Sequence, residues 1–262
     1  MPSTKPSSRS KAPVPAPITT PPHNGFSLIS NQKLLALYTA MLRCRLLEQH
    51  SRKLIKAQQP SRFFASTLGR EAAAVAVTID LRRTDRFAPI APPHSVRSAL
   101  GSIRPTVPVI EQLEGAIKFA LLQKQKETAA LVVAFSTQPF TSSAEGQLAL
   151  QQASDQKLPI LFVAPAAKPS RAKSPTAPTK PTYAFPTFSV DGNDVVAVYR
   201  VATESVFHAR KNHGATLIQC VHTPGTDPLR IMENYLRAKS LYTPALKRDL
   251  TASLRAELHL DA

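Results

Sequence analysis

The sequence predicts an α/β fold in which a doubly wound parallel sheet lies between layers of helices. Two observations support this prediction. From about residue 128 to residue 221, apolar runs of strand length alternate with longer amphipathic runs of helix length, as in repeated strand–helix–strand units. The strand-length runs are continuously apolar, as expected of parallel strands that helices cover on both faces. Ligands of such folds bind beyond the carboxyl ends of the strands, so chemistry is expected at those ends.

Three helices are predicted ahead of the alternating region. Ser30 is a suitable N-cap for a long first helix over NQKLLALYTAMLRCRLLEQHSRKLIK. A second helix is predicted to start near Gly69 with REAAAVAVTIDL, and a third to cover about Val109 to Lys124. Helical spacing predicts that the buried stripe of the first helix consists of Leu34, Leu35, Tyr38, Met41, Leu42 and Leu46.

Four strands and four further helices are predicted in the rest of the chain. The strands are expected at Thr128–Phe135, at Leu158–Ala164, in a short run ending at Val190, and at Ala215–Val221. A helix is expected at Ser143–Gln156, and another on VVAVYRVATESVFHARKN after a turn in which Asn193 or Asp194 is the cap. Asp227-Pro228 and Thr243-Pro244 each predict an N-cap followed by proline at the first helical position. They define two closing helices, and in the last one a leucine face is expected at Leu246, Leu250, Leu254 and Leu258.

The charge is concentrated outside the predicted core. The formal net charge is +16. Residues 1–26 and 164–186 together contain seven Lys and Arg, no acid and 13 of the 24 prolines. We therefore predict a basic Pro-rich disordered tail at 1–26 and a single α/β domain at 27–262 with a flexible Pro/Lys-rich loop at 164–186. Neither segment interleaves aromatic residues, on which bases could stack, with its basic residues. We therefore do not expect these segments to form a nucleic-acid interface.

Cellular location is predicted from the cysteines and the apolar runs. No apolar run reaches the length of a membrane helix, and the N-terminus lacks the apolar core of a secretory signal. Cys44 and Cys220 are predicted to be buried thiols of a protein in the reducing cytoplasm.

Six segments, in order along the chain, carry patterns of one family. They are M-x-x-x-R-x-x-E on Met41, Arg45 and Glu48; LGREAAAVAVTIDL at 68–81; DRFAP with His94; LPILFV at 158–163; VDGNDVVAVYRVA with GATLI at 190–218; and MENYLRAKSLYTPALKRDL at 232–250. Together they resemble the alpha subunit of the decarboxylating first component of 2-oxo acid dehydrogenase complexes, of the pyruvate and branched-chain type. The resemblance implies a thiamine diphosphate-binding-type fold and a beta-subunit partner. It also implies a cofactor diphosphate bridged to the protein by Mg²⁺.

The family's metal motif falls on residues that do not suit a metal. The resemblance implies a GDG motif at the end of one strand and an Asn pair after the next. Counting back from LPILFV without gaps places GDG on Thr137, Gln138 and Pro139, and the Asn pair on Ala166 and Ala167. An alternative register places GDG on residues 139–141. Mg²⁺ requires oxygen ligands in near-octahedral geometry, and neither register supplies a carboxylate.

A second set of implied cofactor contacts is also altered. The His-Arg or Tyr-Arg pair that the family places before its His-Gly falls on Ala91 and Pro92, whereas His94 is kept and Ser95 replaces the glycine. We therefore predict eroded cofactor positions at Ala91, Pro92, Gln138, Ala166 and Ala167, no bound metal, and His94 as the remaining catalytic candidate.

Other polar residues have simpler interpretations. Glu71 lies at a predicted helix start, where its negative charge interacts favourably with the helix dipole. His208, His213 and His222 lack metal-ligand spacing with the cysteines and are predicted to be surface or packing residues.

Three functional hypotheses remain. The leading one is a degenerate pseudoenzyme with a structural or regulatory role, acting through a beta-subunit-like partner or as a homo-oligomer. The second is an active subunit for the oxidative decarboxylation of a 2-oxo acid, with its cofactor held mainly by a beta-subunit partner. The third is a basic interaction module that binds acidic partners.

Overall fold

A computed structural model describes residues 29–56, 70–90, 106–110, 112–166 and 183–260. The predicted tail at 1–26, most of the predicted loop at 164–186, and His94 lie outside the described residues. Within the described ranges, no helix is long and apolar enough to cross a membrane.

Five parallel strands form one sheet, and seven helices accompany it in the described part of the chain. The strands are β1 (Arg86–Ile90), β2 (Val132–Ser136), β3 (Ile160–Pro165), β4 (Thr187–Asp191) and β5 (Thr216–Val221). The helices are α1 (Asn31–Lys56), α2 (Glu71–Thr78), α3 (Leu113–Gln125), α4 (Ala144–Asp155), α5 (Val195–Arg210), α6 (Pro228–Ala238) and α7 (Pro244–Glu257). The strand order is β1-β2-β3-β5-β4, with every pair parallel. This confirms the predicted α/β class, with a parallel sheet between helices and two helices closing the chain.

The core lies on both faces of the central strands. All of β2 and the first five residues of β3 are buried. Alternate residues of these strands, such as Ala134 and Phe162, join Leu113 of α3 and Leu150 of α4 in one apolar cluster. The residues between them point to the opposite face, which α2 and α5 cover. Burial on both faces explains why these strands are continuously apolar.

Helix α2 is buried along its whole length. All eight of its residues are buried, and four of them are alanines. A helix that is apolar all round needs neighbours on every side, and small side chains allow them to approach closely. α2 packs against both α5 and α1, which places its first residue at a defined point beside the sheet.

Helix caps occur where the sequence predicts them. The Asp227 side chain accepts a hydrogen bond from the Leu229 amide at 3.0 Å, and the Thr243 side chain accepts from Leu246 at 3.1 Å. Both of these helices begin with proline. Of the two candidate caps of α5, Asp194 fills the role, because its carboxylate accepts from two amides of the first turn.

Strand β1 is missing from the prediction. Its sequence RFAPI contains Pro89, which argues against a central strand because proline has no amide hydrogen to donate. The structure places β1 at the edge of the sheet, where proline is tolerated. The amide of Phe87 donates to the carbonyl of Pro108, and the amide of Ile110 donates to the carbonyl of Phe87.

Two predicted boundaries were wrong for reasons visible in the structure. The third helix begins at Leu113 rather than near Val109, because residues 108–110 bond to β1 instead. Strand β2 begins at Val132 rather than Thr128, because the Thr128 amide donates to the Gln123 carbonyl in the turn that ends α3.

The predicted stripe of α1 is buried except for Leu35, which is half-buried. Leu37 and Leu47 are buried as well, since neighbouring helices cover more than one side of α1. Cys44 and Cys220 are both buried and free, which confirms that they are buried thiols.

Candidate functional site

The carboxyl ends of β2, β4 and β5 bring together residues that are far apart in the sequence. Arg70, which directly precedes α2, donates from Nη1 to the carbonyl oxygen of Thr137 after β2, at 3.4 Å. After β4 and β5, Oδ1 of Asn193 lies 3.5 Å from Nδ1 of His222. We call Arg70, Thr137, Asn193, Cys220 and His222 the carboxyl-edge cluster. Its location is where ligands bind in open α/β sheets.

Arg70 brings a positive charge to this edge and is not paired with a carboxylate in the described structure. In the described ranges it forms no ion pair, and the bond to Thr137 is its one hydrogen bond. Burial lowers the pKa of Arg70, which reflects the cost of holding this cation partly away from water. The three segments that adjoin the edge in sequence, residues 57–69, 91–105 and 167–182, contain no Asp or Glu.

Asn193 has unused hydrogen-bonding capacity. Its side chain is 2% exposed, and its Nδ2 has no hydrogen-bond partner within the described structure. A buried amide donor without a partner costs about 1–3 kcal/mol. The neighbouring Gly192 makes room for His222, because a Cβ at Gly192 would lie 2.5 Å from the Cε1 of that ring.

Burial favours the neutral forms of the His222 imidazole and the Cys220 thiol. Burial and the nearby Arg70 lower the pKa of His222, and Asp191 opposes this shift. Burial raises the pKa of the Cys220 thiol to about 12. The cluster therefore offers one cation, a neutral imidazole, a thiol and an amide, and Cys220 is not an activated nucleophile.

The turn after β2 is fixed by local packing. The Oγ of Ser136 accepts a hydrogen bond from the amide of Gln138 at 3.0 Å. The ring of Phe140, in the 3₁₀ turn that follows, meets the ring of Phe162 edge-on at 5.1 Å. A Cβ on Gly146 would overlap the Phe140 carbonyl oxygen, so α4 packs closely on this turn.

Comparison with known proteins supports one family. A sequence model of the family described as Dehydrogenase E1 component matches residues 101–223. The 3-methyl-2-oxobutanoate dehydrogenase subunit alpha of two Mycobacterium tuberculosis strains is 28% identical over 188 residues, which covers 58% of this chain and 51% of the relative. The chain resembles the alpha subunit of a 2-oxo acid dehydrogenase E1 component. It spans about half the length of the curated relatives that it matches.

Two residues in the segments that carry the E1 alpha resemblance, Arg45 and Glu71, form an ionic network with Asp227. Arg45 of α1 donates from Nε to Glu71 at 2.6 Å and from Nη2 to Asp227 at 2.7 Å. Glu71 is 0% exposed and is the first residue of α2, as predicted. Its carboxylate therefore lies at the positive end of the helix dipole and is also paired with Arg45. The hydrogen bond from Arg45 lowers the pKa of Asp227. This network joins α1, α2 and the start of α6.

The positions of the predicted eroded site are only partly described. The candidates outside the described residues are Ala91, Pro92, His94 and Ala167. Gln138 lies at the carboxyl edge with its side chain exposed, and Ala166 is half-buried directly after β3. The Ala166 amide donates to the Cys220 carbonyl at 3.0 Å, which ties the end of β3 to the cluster. In the described ranges, no group of three or more His, Cys, Asp or Glu is placed to hold a metal.

Sequence reasoning missed the cluster itself. It assigned Asn193 to a turn or cap, but Asp194 makes the cap and Asn193 is buried beside His222. Their positions in the sequence could have indicated the cluster: His222 directly follows β5, Asn193 lies two residues after β4, and the ends of parallel strands meet at one edge. Arg70 carries no such signal, because it precedes a helix and reaches the edge only through the packing of α2.

Proposed function

We propose that this chain is an E1 alpha-like scaffold subunit that does not bind magnesium thiamine diphosphate, and that it acts through contacts with a beta-subunit-like partner or with further copies of itself. The observation that carries the proposal is the guanidinium of Arg70 against the carbonyl of Thr137. This is the turn where the resemblance expects the metal motif.

The charges at this turn disfavour a divalent cation. A metal ion there would be repelled by Arg70, and the repulsion is stronger in a partly buried site than in water. The position that the resemblance gives to a metal-binding Asp is Gln138, an exposed neutral amide. Mg²⁺ is normally held by carboxylates together with phosphate and water oxygens, so this donor set does not fit the cofactor of the family.

The expected loss of affinity is large. Each charge-assisted contact contributes about 1.5–3 kcal/mol, so removing a metal-binding Asp, a metal-binding Asn and a diphosphate-binding Arg costs about 4–9 kcal/mol. A micromolar cofactor binds with about −8 kcal/mol. Affinity for the cofactor is therefore expected to fall to the millimolar range or weaker.

Isothermal titration calorimetry with thiamine diphosphate and Mg²⁺ tests the proposal. We expect no saturable heat in the micromolar range for the natural chain. Saturable binding with a Kd of roughly tens of micromolar would contradict the proposal.

A pair of variants tests the stated cause. Arg70→Gln combined with Gln138→Asp removes the cation and restores a carboxylate at the turn, and we expect measurable Mg²⁺ binding. The matched control, Arg70→Gln combined with Gln156→Asp, makes the same charge changes but places the new carboxylate at the end of α4. Equal Mg²⁺ binding by both variants would show that net charge, rather than the geometry of the turn, is responsible.

A second candidate function rests on the comparisons. The matching relatives are named as dehydrogenase alpha subunits, and the family match spans β2 to β5. This favours an active subunit whose partner supplies most of the cofactor contacts. Co-expression with a beta subunit, followed by an assay for 2-oxo acid-dependent reduction of an acceptor, decides between the two. Turnover supports the active subunit, and its absence with all common 2-oxo acids supports the scaffold.

A further inference from the structure

The two outermost strands of the sheet differ in what lies beside them. Strand β1 contains Pro89, and residues 108–110 exchange backbone hydrogen bonds with its Phe87. Strand β4, on the opposite side, has β5 as its one strand neighbour in the described part of the chain. An outer strand can pair with another chain unless proline, charge, a bulge or a covering segment prevents it. The outer side of β1 is blocked in this way, whereas that of β4 is open.

Alternate residues of β4 turn their backbone groups away from the sheet. The amide of Leu217 donates to the carbonyl of Pro186, and the amide of Gly192 donates to the carbonyl of Val221. Since alternate residues of a parallel strand bond to a given neighbour, the even-numbered residues of β4 bond to β5. The residues with outward amides and carbonyls are the odd-numbered ones, Thr187, Ser189 and Asp191.

Most of these outward groups are available for pairing. In the described part of the chain, the outward backbone groups of Thr187 and Ser189 form no hydrogen bond. The carbonyl of Asp191 accepts one, from the amide of Asp194 at 3.2 Å, and a carbonyl oxygen has a second lone pair. Strand β4 contains no proline or lysine, and no bulge interrupts its register with β5. Its backbone is therefore ready to accept a further strand.

The adjoining face of the sheet is also open. The side chains of Thr187, Ser189 and Asp191 lie on the same face as Leu217, which belongs to the apolar cluster beneath α3 and α4. All three are exposed. Val221 of β5 shares this face and is 46% exposed. Parallel sheets normally have both faces covered, so this corner of the sheet has room for a partner.

The order of residues along β4 fits a second copy of the same strand that runs in the opposite direction. A twofold axis at Ser189 brings the outward residues opposite one another, with Ser189 facing Ser189 of the second copy and Thr187 facing Asp191. Each such pair can exchange two backbone hydrogen bonds. The hydroxyl of Thr187 can donate to the carboxylate of Asp191, and the two carboxylates lie about 13 Å apart along the strands. A parallel arrangement would place like charges side by side, which is unfavourable.

We propose that two copies of this chain associate through β4, in antiparallel register about Ser189, so that one sheet continues across both copies. The interface is self-complementary, and its twofold symmetry closes the assembly at a dimer. The inference rests on the part of the proposed function that involves further copies of the chain, and it assigns that association to a defined surface.

Sedimentation velocity of the full chain over a concentration series tests the dimer. Salt at about 0.15 M limits the repulsion between the two basic chains to a range of about 8 Å. We expect a reversible change from monomer to dimer between about 1 and 100 µM, as for a small interface. A chain that remains monomeric at about 100 µM would overturn the proposal. The calorimetric test with thiamine diphosphate is unaffected by either outcome, so the two proposals can fail separately.

A charge exchange at the twofold axis tests the surface. Ser189→Lys and Ser189→Asp each place two like charges opposite one another, so each alone is expected to raise the Kd of the dimer at least about tenfold. An equimolar mixture of the two variants is expected to recover dimers, because opposite charges then meet. Thr203→Lys adds the same charge at an exposed position on α5 and should dimerise like the natural chain. Undiminished dimers of either Ser189 variant alone, a mixture that stays monomeric, or equal weakening by Thr203→Lys would refute the interface.

Oxidative cross-linking tests the register. Ser189→Cys places two thiols opposite each other at the axis, where the Cα atoms of a hydrogen-bonded pair lie about 5.5 Å apart, a separation that a disulfide can span. Thr187→Cys places its two thiols about 13 Å apart along the strands. We expect a covalent dimer from Ser189→Cys and little from Thr187→Cys, with a low background because Cys44 and Cys220 are buried. Equal yields from the two variants, or a higher yield from Thr187→Cys, would contradict the antiparallel register about Ser189.

Discussion

Two arginines at opposite edges of the sheet have opposite surroundings. At the amino edge, Arg210 at the end of α5 donates to both carboxylate oxygens of Asp85, at 2.7 and 3.0 Å, and to the carbonyl of Ala129 at 2.7 Å. Asp85 is 0% exposed and also accepts from the amide of Leu131. At the carboxyl edge, Arg70 has one hydrogen bond, of 3.4 Å, and no carboxylate partner in the described ranges.

The difference shows that the two arginines contribute unequally to the folded framework. At the amino edge a buried charge is paired and its hydrogen bonds are satisfied, which makes that edge part of the folded framework. At the carboxyl edge, the half-buried guanidinium of Arg70 and the buried Nδ2 of Asn193 could each donate further hydrogen bonds. Folding gains little from unsatisfied polar groups, so Arg70 and Asn193 are expected to contribute less to stability than the Asp85–Arg210 pair.

The largest expected effect comes from breaking the amino-edge pair. Asp85→Asn leaves the charge of Arg210 buried without compensation, and we expect the free energy of unfolding to fall by about 3–5 kcal/mol. Urea denaturation measures the change. The double variant Asp85→Asn with Arg210→Met removes both charges and is expected to recover most of the loss. If the free energy of unfolding of Asp85→Asn stays within about 1 kcal/mol of that of the natural chain, the pair contributes little to stability.

A much smaller effect is expected at the carboxyl edge. Arg70→Met keeps a long apolar side chain and removes a cation that has one long hydrogen bond. The free energy of unfolding should therefore change by less than about 1 kcal/mol. The same denaturation experiment measures it. A loss as large as that of Asp85→Asn would show that Arg70 has a stabilising role equal to that of Arg210, and the contrast between the edges would fail.

The smallest expected effect is a dependence on pH that originates at the carboxyl edge. Burial and Arg70 lower the pKa of His222, so the unfolded chain takes up a proton at this histidine more readily than the folded one. The stability contributed by neutral His222 is therefore fully present above the unfolded pKa of about 6.5 and is lost as pH falls below it. Unfolding free energies measured at about pH 5.5 and about pH 7.5 should differ less for His222→Gln.

Arg70→Met provides an independent check on the same titration. Removing the cation takes away one of the two causes that lower the pKa of His222, so the decline of stability at low pH should become shallower. A steeper decline in this variant would mean that the sign of the interaction between the two residues is wrong.

The sequence predicted features that depend on local chemistry and missed those that depend on packing. Asp227 and Thr243 were predicted as caps because a cap is decided within four residues. Strand β1 was missed because Pro89 forbids a central strand but not an edge strand, and the position of a strand in the sheet is not a local property. The hydrogen bond between Arg70 and Thr137 depends on how α2 packs against the sheet. The spacing of apolar residues in the sequence does not predict that packing.

The order β1-β2-β3-β5-β4 has a consequence for how the chain is made. As the polypeptide leaves the ribosome, β1, β2 and β3 emerge in the order in which they pair, so each can dock on the strand before it. Strand β4 emerges next but has no neighbour except β5, which must insert between β3 and β4. Thr187–Asp191 must therefore wait for the synthesis of the next 30 residues, up to Val221, before its full register with β5 can be set.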